Sequence, residues 1–171
     1  MRFSSEKELV QSAIKHLPLR RWLRVTKNAA MFQQTEVEGM FGIPDLVAAV
    51  PSRSKRNARS CRSIAFEMKL SDWRRGLAQA FRYRAFATIA VLVVDDSRSG
   101  PAVANLDRFK RANIGLVGLN PDGYFNTYLW PEREDPFNPD LQSALCGIVN
   151  RSAPSVDRPM ADRQCLGATE N

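Results

Sequence analysis

Histidine is almost missing from this chain, and cysteine is scarce. His16 is the one histidine among 171 residues, and Cys61, Cys146 and Cys165 are the three cysteines. A single histidine excludes histidine-rich metal sites, histidine triads and HNH-type chemistry. Cysteines that are odd in number and far apart fit neither a disulfide framework nor a zinc-binding spacing. A long apolar run is lacking too. The longest, Ala85 to Val94, is about half of the ~20 residues a spanning helix needs. The opening Met1-Arg2-Phe3-Ser4-Ser5-Glu6 has no apolar signal core, so a cytoplasmic protein is the expectation. If the chain is an enzyme, carboxylates and lysine must carry its chemistry.

Acidic residues are also missing from one particular window. Between Pro51 and Arg84 stand Arg53, Lys55, Arg56, Arg59, Arg62, Lys69, Arg74, Arg75, Arg82 and Arg84, against only Glu67 and Asp72. Ten bases less two acids give +8, more than the whole net charge of +7. Arginines clustered in this way suit a polyanionic partner; a solvated basic surface that contacts nothing is the plainer alternative.

What is present alternates between helical and strand patterns, which predicts an α/β domain over residues 1–135. Residues 136–171 are expected to form a C-terminal extension, a short helix from Asp140 to Val149 followed by a mobile tail. Ser4 to Leu17 reads as a helix with Leu9, Val10, Ala13, Ile14 and Leu17 inward. Ser5 and Glu8 fit a capping box at its start. Glu6 continues the inward stripe; it either points into a site or only complements the helix dipole. Trp22 to Thr26 is expected as a first strand, and Lys27 to Gly39 as a loop or strand edge. Glu36 and Glu38, in that stretch, are possible extra metal ligands but more often surface acids, and fall outside the core set.

Phe41 to Val50 reads as the second strand, with Asp45 at its opening behind Pro44. After the cationic loop, Ser63 to Leu70 alternates. Ile64, Phe66, Met68 and Leu70 share one face, and Ala65, Glu67 and Lys69 the other. Pairing of these strands brings Asp45 beside Glu67 and Lys69. Two carboxylates gathered on one sheet face need a cation or solvent to compensate them, and Mg²⁺ is held by such oxygen ligands together with substrate phosphate. A surface salt bridge between Glu67 and Lys69 is the bland reading. The helix from Asp72 to about Ala87 then carries Arg75, Gln79 and Tyr83 at four-residue spacing on one face, where they could bind phosphate or stack. Thr88 to Val94, a fully apolar run, suits a central strand; a helix, Val103 to Ala112, and two further strands follow.

Pro44-Asp45, Glu67-Met68-Lys69 and Gln79-Ala80-Phe81-Arg82-Tyr83 together resemble the PD-(D/E)xK nuclease superfamily, over roughly residues 4 to 130. The last element looks like the glutamine-x-x-x-tyrosine of the helicase-linked exonuclease branch. Glu6-Lys7-Glu8 looks like the first helix of archaeal-type resolvases, whose first acid belongs to the site. The resemblance implies a restriction endonuclease-like fold with an αβββαβ core and a mixed sheet of four to five strands. It implies a metal-dependent deoxyribonuclease acting in repair, recombination or defence, with a catalytically inactive nucleic-acid-binding module as the alternative. Asp45, Glu67 and the Met68 carbonyl would hold Mg²⁺ or Mn²⁺, with Glu6 assisting. Lys69 would position or help deprotonate the attacking water, and the P–O3′ bond would break to leave a 5′-phosphate. Gln79, Arg75 and Tyr83 would hold phosphate. Arg53, Lys55, Arg56, Arg59 and Arg62 would grip the backbone of single-stranded, duplex or branched DNA. Cutting a paired duplex would ask for a homodimer.

Overall fold

The computed structural model describes residues 2–38, 40–51 and 61–152. Six strands form one open mixed sheet in the order β1 to β6, flanked by helices on both faces. The elements run α1 (Glu6–His16), α2 (Leu19–Trp22), β1 (Phe32–Gln34), β2 (Leu46–Pro51), β3 (Cys61–Lys69), α3 (Trp73–Tyr83), β4 (Ile89–Asp95), α4 (Gly100–Val103), α5 (Leu106–Ala112), β5 (Gly115–Leu119), β6 (Phe125–Leu129) and α6 (Pro139–Ser152). Strands β1, β2 and β3 pair antiparallel; β4 and β5 continue parallel to β3; β6 closes the far edge antiparallel. The sheet therefore has six strands, as many as the sequence pattern sets out, and one more than the four to five implied by the resemblance.

Alternation sorts the side chains. Ile64, Phe66 and Met68 of β3 join Leu46, Ala48 and Val50 of β2 under α1 and α2, where Leu9, Ala13, Leu17 and Leu19 are buried. Cys61 and Ala65 join Val47 and Ala49 on the opposite face, under α3, α5 and α6. β4 is buried along its whole length, as expected of a central parallel strand covered on both sides.

Several predicted elements differ. The strand expected from Phe41 begins only at Leu46, and the helix expected over Val103 to Ala112 is divided into α4 and α5. Trp22 to Thr26 is not a strand: Trp22 ends the short helix α2, and Arg24 takes a left-handed φ of 53°. The indole of Trp22 packs against Trp130, Phe125 and Phe66, so contacts with distant residues fix this segment. The first strand lies instead in the polar stretch after it, where Phe32 is buried and Gln33 and Gln34 are exposed.

The described part of the C-terminal extension belongs to the domain. Leu145, Cys146 and Val149 of α6 are fully buried in the core shared with β2 and β3. Cys146 forms a disulfide with Cys61 at the start of β3, with Cα atoms 5.5 Å apart. The odd, scattered cysteine pattern thus concealed a cross-link. Of the tail expected over Ser152 to Asn171, Ser152 closes α6 and 153–171 lies outside the described residues. Among the described residues no helix is long and apolar enough to cross a membrane. The disulfide itself belongs to oxidising surroundings and lends no support to the cytoplasmic expectation.

Candidate active site

The site forms at the edge of the sheet where the parallel strands β3 and β4 end, the edge at which open α/β sheets bind ligands. β2 begins opposite Phe66. The preceding residue, Asp45, donates its amide to the Phe66 carbonyl at 3.1 Å, which places it beside Glu67. Asp45 Oδ2 accepts from the Met68 amide at 2.6 Å. Because N–H and C=O of one strand residue point the same way, the Met68 carbonyl emerges on the Asp45 side, two residues past the end of the β2–β3 ladder.

Glu67 is only 1% exposed. Its two oxygens are divided: Lys69 Nζ lies 2.8 Å from Oε1, and the Tyr83 hydroxyl hydrogen-bonds Oε2. Lys69 also lies 3.4 Å from Glu6 Oε2. Glu6 and Lys69 approach from opposite faces of the sheet and meet at its end. The start of α1, which carries Glu6, is fixed by its neighbours. Ser5 Oγ caps the amide of Glu8, while Glu8 Oε2 accepts from the amide and hydroxyl of Ser4. The Phe3 amide is bound by Asp95, a fully buried acid at the end of β4. Asp95 sets the entry of α1, a role the sequence marked only by an acid directly after an apolar run.

The electrostatics follow from this packing. Burial raises Asp45 from the ordinary carboxylate value of 3.8 to about 6, and the neighbouring charge of Glu67 adds to the rise, against the Met68 amide and Lys69. Burial works against the charge on Lys69, but the hydrogen bond and charge of Glu67, with Glu6 and Asp45, outweigh it and lift the lysine above its usual range. Lys69 in this arrangement is a cation held between Glu67 and Glu6, suited to orienting and charge compensation. The Tyr83 hydroxyl is pushed up by burial and then by Glu67.

The structure brings Glu6, Asp45, Glu67, Lys69 and Tyr83 together, but it changes what Tyr83 does. At 1% exposure the ring cannot stack on a base or reach a phosphate. It packs 5.8 Å from Phe86 and holds Glu67 in place, with the Ile43 carbonyl 3.0 Å from its hydroxyl. Gly76 lies earlier on α3, and a Cβ there would come within 2.6 Å of Leu92 and 2.9 Å of Lys69 Cγ, so only glycine lets the helix press on the lysine stem. Gln79 falls between these two contacts along the helix, and its Oε1 is buried without a hydrogen-bond partner. Such an atom calls for a donor that a ligand or water would supply. Arg75 is exposed near the start of α3.

Arg62 is not at the site. It lies seven residues before Lys69 on β3, about 23 Å away at ~3.3 Å per residue. Burial, and then the charges of Arg62 and Arg24, hold Arg133 below the usual arginine range, so these three cations are neighbours at the other end of the strand. Arg53, Lys55, Arg56 and Arg59 lie outside the described residues. The described residues on either side of them, Pro51 and Cys61, pair with each other at that same remote end. The charge window, continuous in sequence, is divided in space.

A cleft of about 430 Å³ opens between α1 and the Thr35 turn, lined by Glu6, Lys7, Val10, Gln11, Thr35, Glu36 and Asp45. Glu36, outside the core set on sequence grounds, thus shares a cleft with two of its members. Among the described residues no three His, Cys, Asp or Glu side chains converge as a ready-made metal cage. The donors fit Mg²⁺ or Mn²⁺ in another way. Asp45 and Glu67 are adjacent carboxylates, Asp45 raised by burial and then by the charge of Glu67, and the Met68 carbonyl stands next to them. Hard ions of this kind need only one or two carboxylates when waters and substrate phosphate complete the shell.

No family model, no curated protein and no solved structure matches the chain.

Proposed function

We propose that the chain is a metal-dependent deoxyribonuclease of restriction endonuclease-like fold, hydrolysing phosphodiester bonds in repair, recombination or defence. One observation carries this reading. Asp45, just before β2, and Glu67 of β3 stand side by side at the end of the sheet with Lys69 bonded to Glu67, next to a cleft of about 430 Å³ that Asp45 and Glu6 line. Helix α1, three antiparallel strands, α3 and the parallel strand β4 also supply the αβββαβ order that such a nuclease requires.

Asp45, Glu67 and the Met68 carbonyl would hold Mg²⁺ or Mn²⁺, with Glu6 assisting across the cleft. When bound, the ion lowers the pKa of a ligated water and neutralises charge developing on the phosphate. Lys69 pairs with Glu67 and presents a fixed positive charge to the phosphate. Tyr83 locks the second Glu67 oxygen, so that the carboxylate needs no reorganisation during the reaction. Gln79 would offer its amide group to a phosphate or to a water bound there. The partner is DNA, engaged from the cleft side.

A nucleic-acid-binding module that keeps the geometry without cutting is the second reading, favoured by the absence of a three-donor cluster among the described residues. Incubating the protein with supercoiled, linear, branched and single-stranded DNA in Mg²⁺ or Mn²⁺, and in EDTA, decides between them. Ion-dependent nicking that Asp45→Ala abolishes supports the nuclease; binding with no nicking in either ion supports the module.

A further inference from the structure

Five large apolar side chains are exposed among the described residues: Phe41, Ile43, Phe81, Tyr124 and Phe137. Phe81 and Phe137 pack on each other, and Arg84 lies over both rings. Tyr124 stands alone in the turn before β6. Phe41 and Ile43 differ from all of these. Each is 57% exposed, they bracket Gly42, and they lie just before Asp45.

Their backbone is fixed while their side chains are not covered. Gly42 has a φ of +95°, and a Cβ on it would lie 3.1 Å from the Tyr83 ring. The Ile43 carbonyl is 3.0 Å from the Tyr83 hydroxyl, Pro44 is buried, and the Asp45 amide is bonded to Phe66. The tyrosine that holds Glu67 therefore also fixes the segment that displays Phe41 and Ile43. Two exposed apolar side chains, two residues apart on anchored backbone, offer a binding surface, and the fixed backbone reduces the ordering that binding must impose.

We propose that Phe41 and Ile43 form a wedge that receives an unstacked base next to the phosphate being cut. The preferred substrate is then a nucleic acid with unpaired nucleotides at the site, single-stranded, flapped or branched, and not uniform duplex. This rests on the nuclease reading for its position, since Asp45 is the candidate ligand beside the wedge. The physical basis is separate: bases stack on exposed aromatic side chains whatever their sequence, and an apolar wedge must unstack the bases it meets, which costs least where they are already unpaired.

The test uses the full chain in EDTA, where cleavage is silent, with DNA carrying 2-aminopurine either in a fully paired duplex or in an unpaired flap. Fluorescence anisotropy reads affinity and 2-aminopurine quenching reads stacking. Wild type is expected to bind the flap more tightly and to quench it. Phe41→Ala is expected to weaken flap binding on the order of 5- to 150-fold, the range given by stacking one base, and to leave duplex binding unchanged. Phe41→Trp is expected to retain both signals. Because the side chain is exposed, thermal unfolding should be the same in all three proteins, which separates misfolding from loss of contact. Equal binding of flap and duplex by Phe41→Ala and wild type overturns the wedge, as does equal weakening on both. A change in the protein's oligomeric mass on Phe41→Ala also overturns it, by showing a contact between copies. Phe41-dependent quenching without cutting in Mg²⁺ would sink the nuclease reading and leave the wedge standing. Cutting without Phe41 dependence does the reverse.

Discussion

Replacing Asp45 with asparagine removes a charge the fold disfavours and keeps the atom that accepts from the Met68 amide. The carboxyl is raised from 3.8 to about 6, a change of about two units, or about 3 kcal/mol at 1.36 kcal/mol per unit. Asp45 is half-buried, so solvent screening reduces this to about 1–2 kcal/mol. The sign follows from proton linkage. Between about pH 4 and 6 the native state keeps a proton that the unfolded chain has released, so wild type loses stability as pH rises through that window. Asp45→Asn lacks this loss. For a domain of this size 1 kcal/mol shifts Tm by about 2–4 °C, so at about pH 8 in EDTA the variant should melt about 2–8 °C above wild type, with the difference vanishing near pH 4. Excess Mg²⁺ should raise the Tm of wild type and leave the variant unchanged, and the variant should not cut DNA. Calorimetry across pH, with and without Mg²⁺, makes the measurement. A variant no more stable than wild type at about pH 8, or a difference that persists undiminished at pH 4, would refute the idea that burial and Glu67 hold Asp45 up.

Lys69→Met leaves Glu67 buried without its cation and should cost about 3–5 kcal/mol in urea unfolding, most of it restored by adding Glu67→Gln; a single variant within 1 kcal/mol of wild type would count against the buried pair. Tyr83→Phe removes the donor to Glu67 and should cost about 1–3 kcal/mol while raising the Mg²⁺ concentration needed for half-maximal cutting; an unchanged Mg²⁺ curve would deny the positioning role. Gln79→Leu removes a buried acceptor without a partner and should leave stability equal or higher while weakening DNA binding, read by anisotropy. Unfolded without reductant, the protein should show one reactive thiol of its three cysteines, and reduction should lower stability by about 2–5 kcal/mol; three reactive thiols would rule the bond out.

Much of the site was legible because its parts are local. Alternation over Ser63 to Leu70 assigned Glu67 and Lys69 to one face, and Pro44-Asp45 announced the start of its partner strand. The Ser5–Glu8 cap and the Leu9–Ala13 stripe fixed α1 in the same way. What escaped depends on contacts between distant residues. Tyr83 counts as polar in a helical pattern, yet a hydroxyl can be buried once a buried carboxylate awaits it. β1 carries only one buried side chain and is defined by its ladder with β2. Trp22 has strand propensity, but its indole is claimed by Phe66, Phe125 and Trp130. The cysteine pair is 85 residues apart, and spacing alone cannot show that two Cα atoms come within bonding range. Charge read along the chain also hides direction: a hairpin carries Arg62 to the opposite end of the strand that bears Lys69.

The cross-link between Cys61 and Cys146 makes a covalent ring of the chain between them. Glu67, Lys69, Gln79 and Tyr83 lie inside that ring, with β3 to β6. Glu6 and Asp45 lie on the arm that precedes it. A protease cut within the ring leaves one connected molecule, whereas a cut between Pro51 and Cys61 releases the arm. Its carboxylates must then find Glu67 again by non-covalent docking of β2 on β3. Recovery of the native melting transition on mixing the two pieces would therefore report strand pairing directly, and the protein would serve as a split reporter of its own assembly.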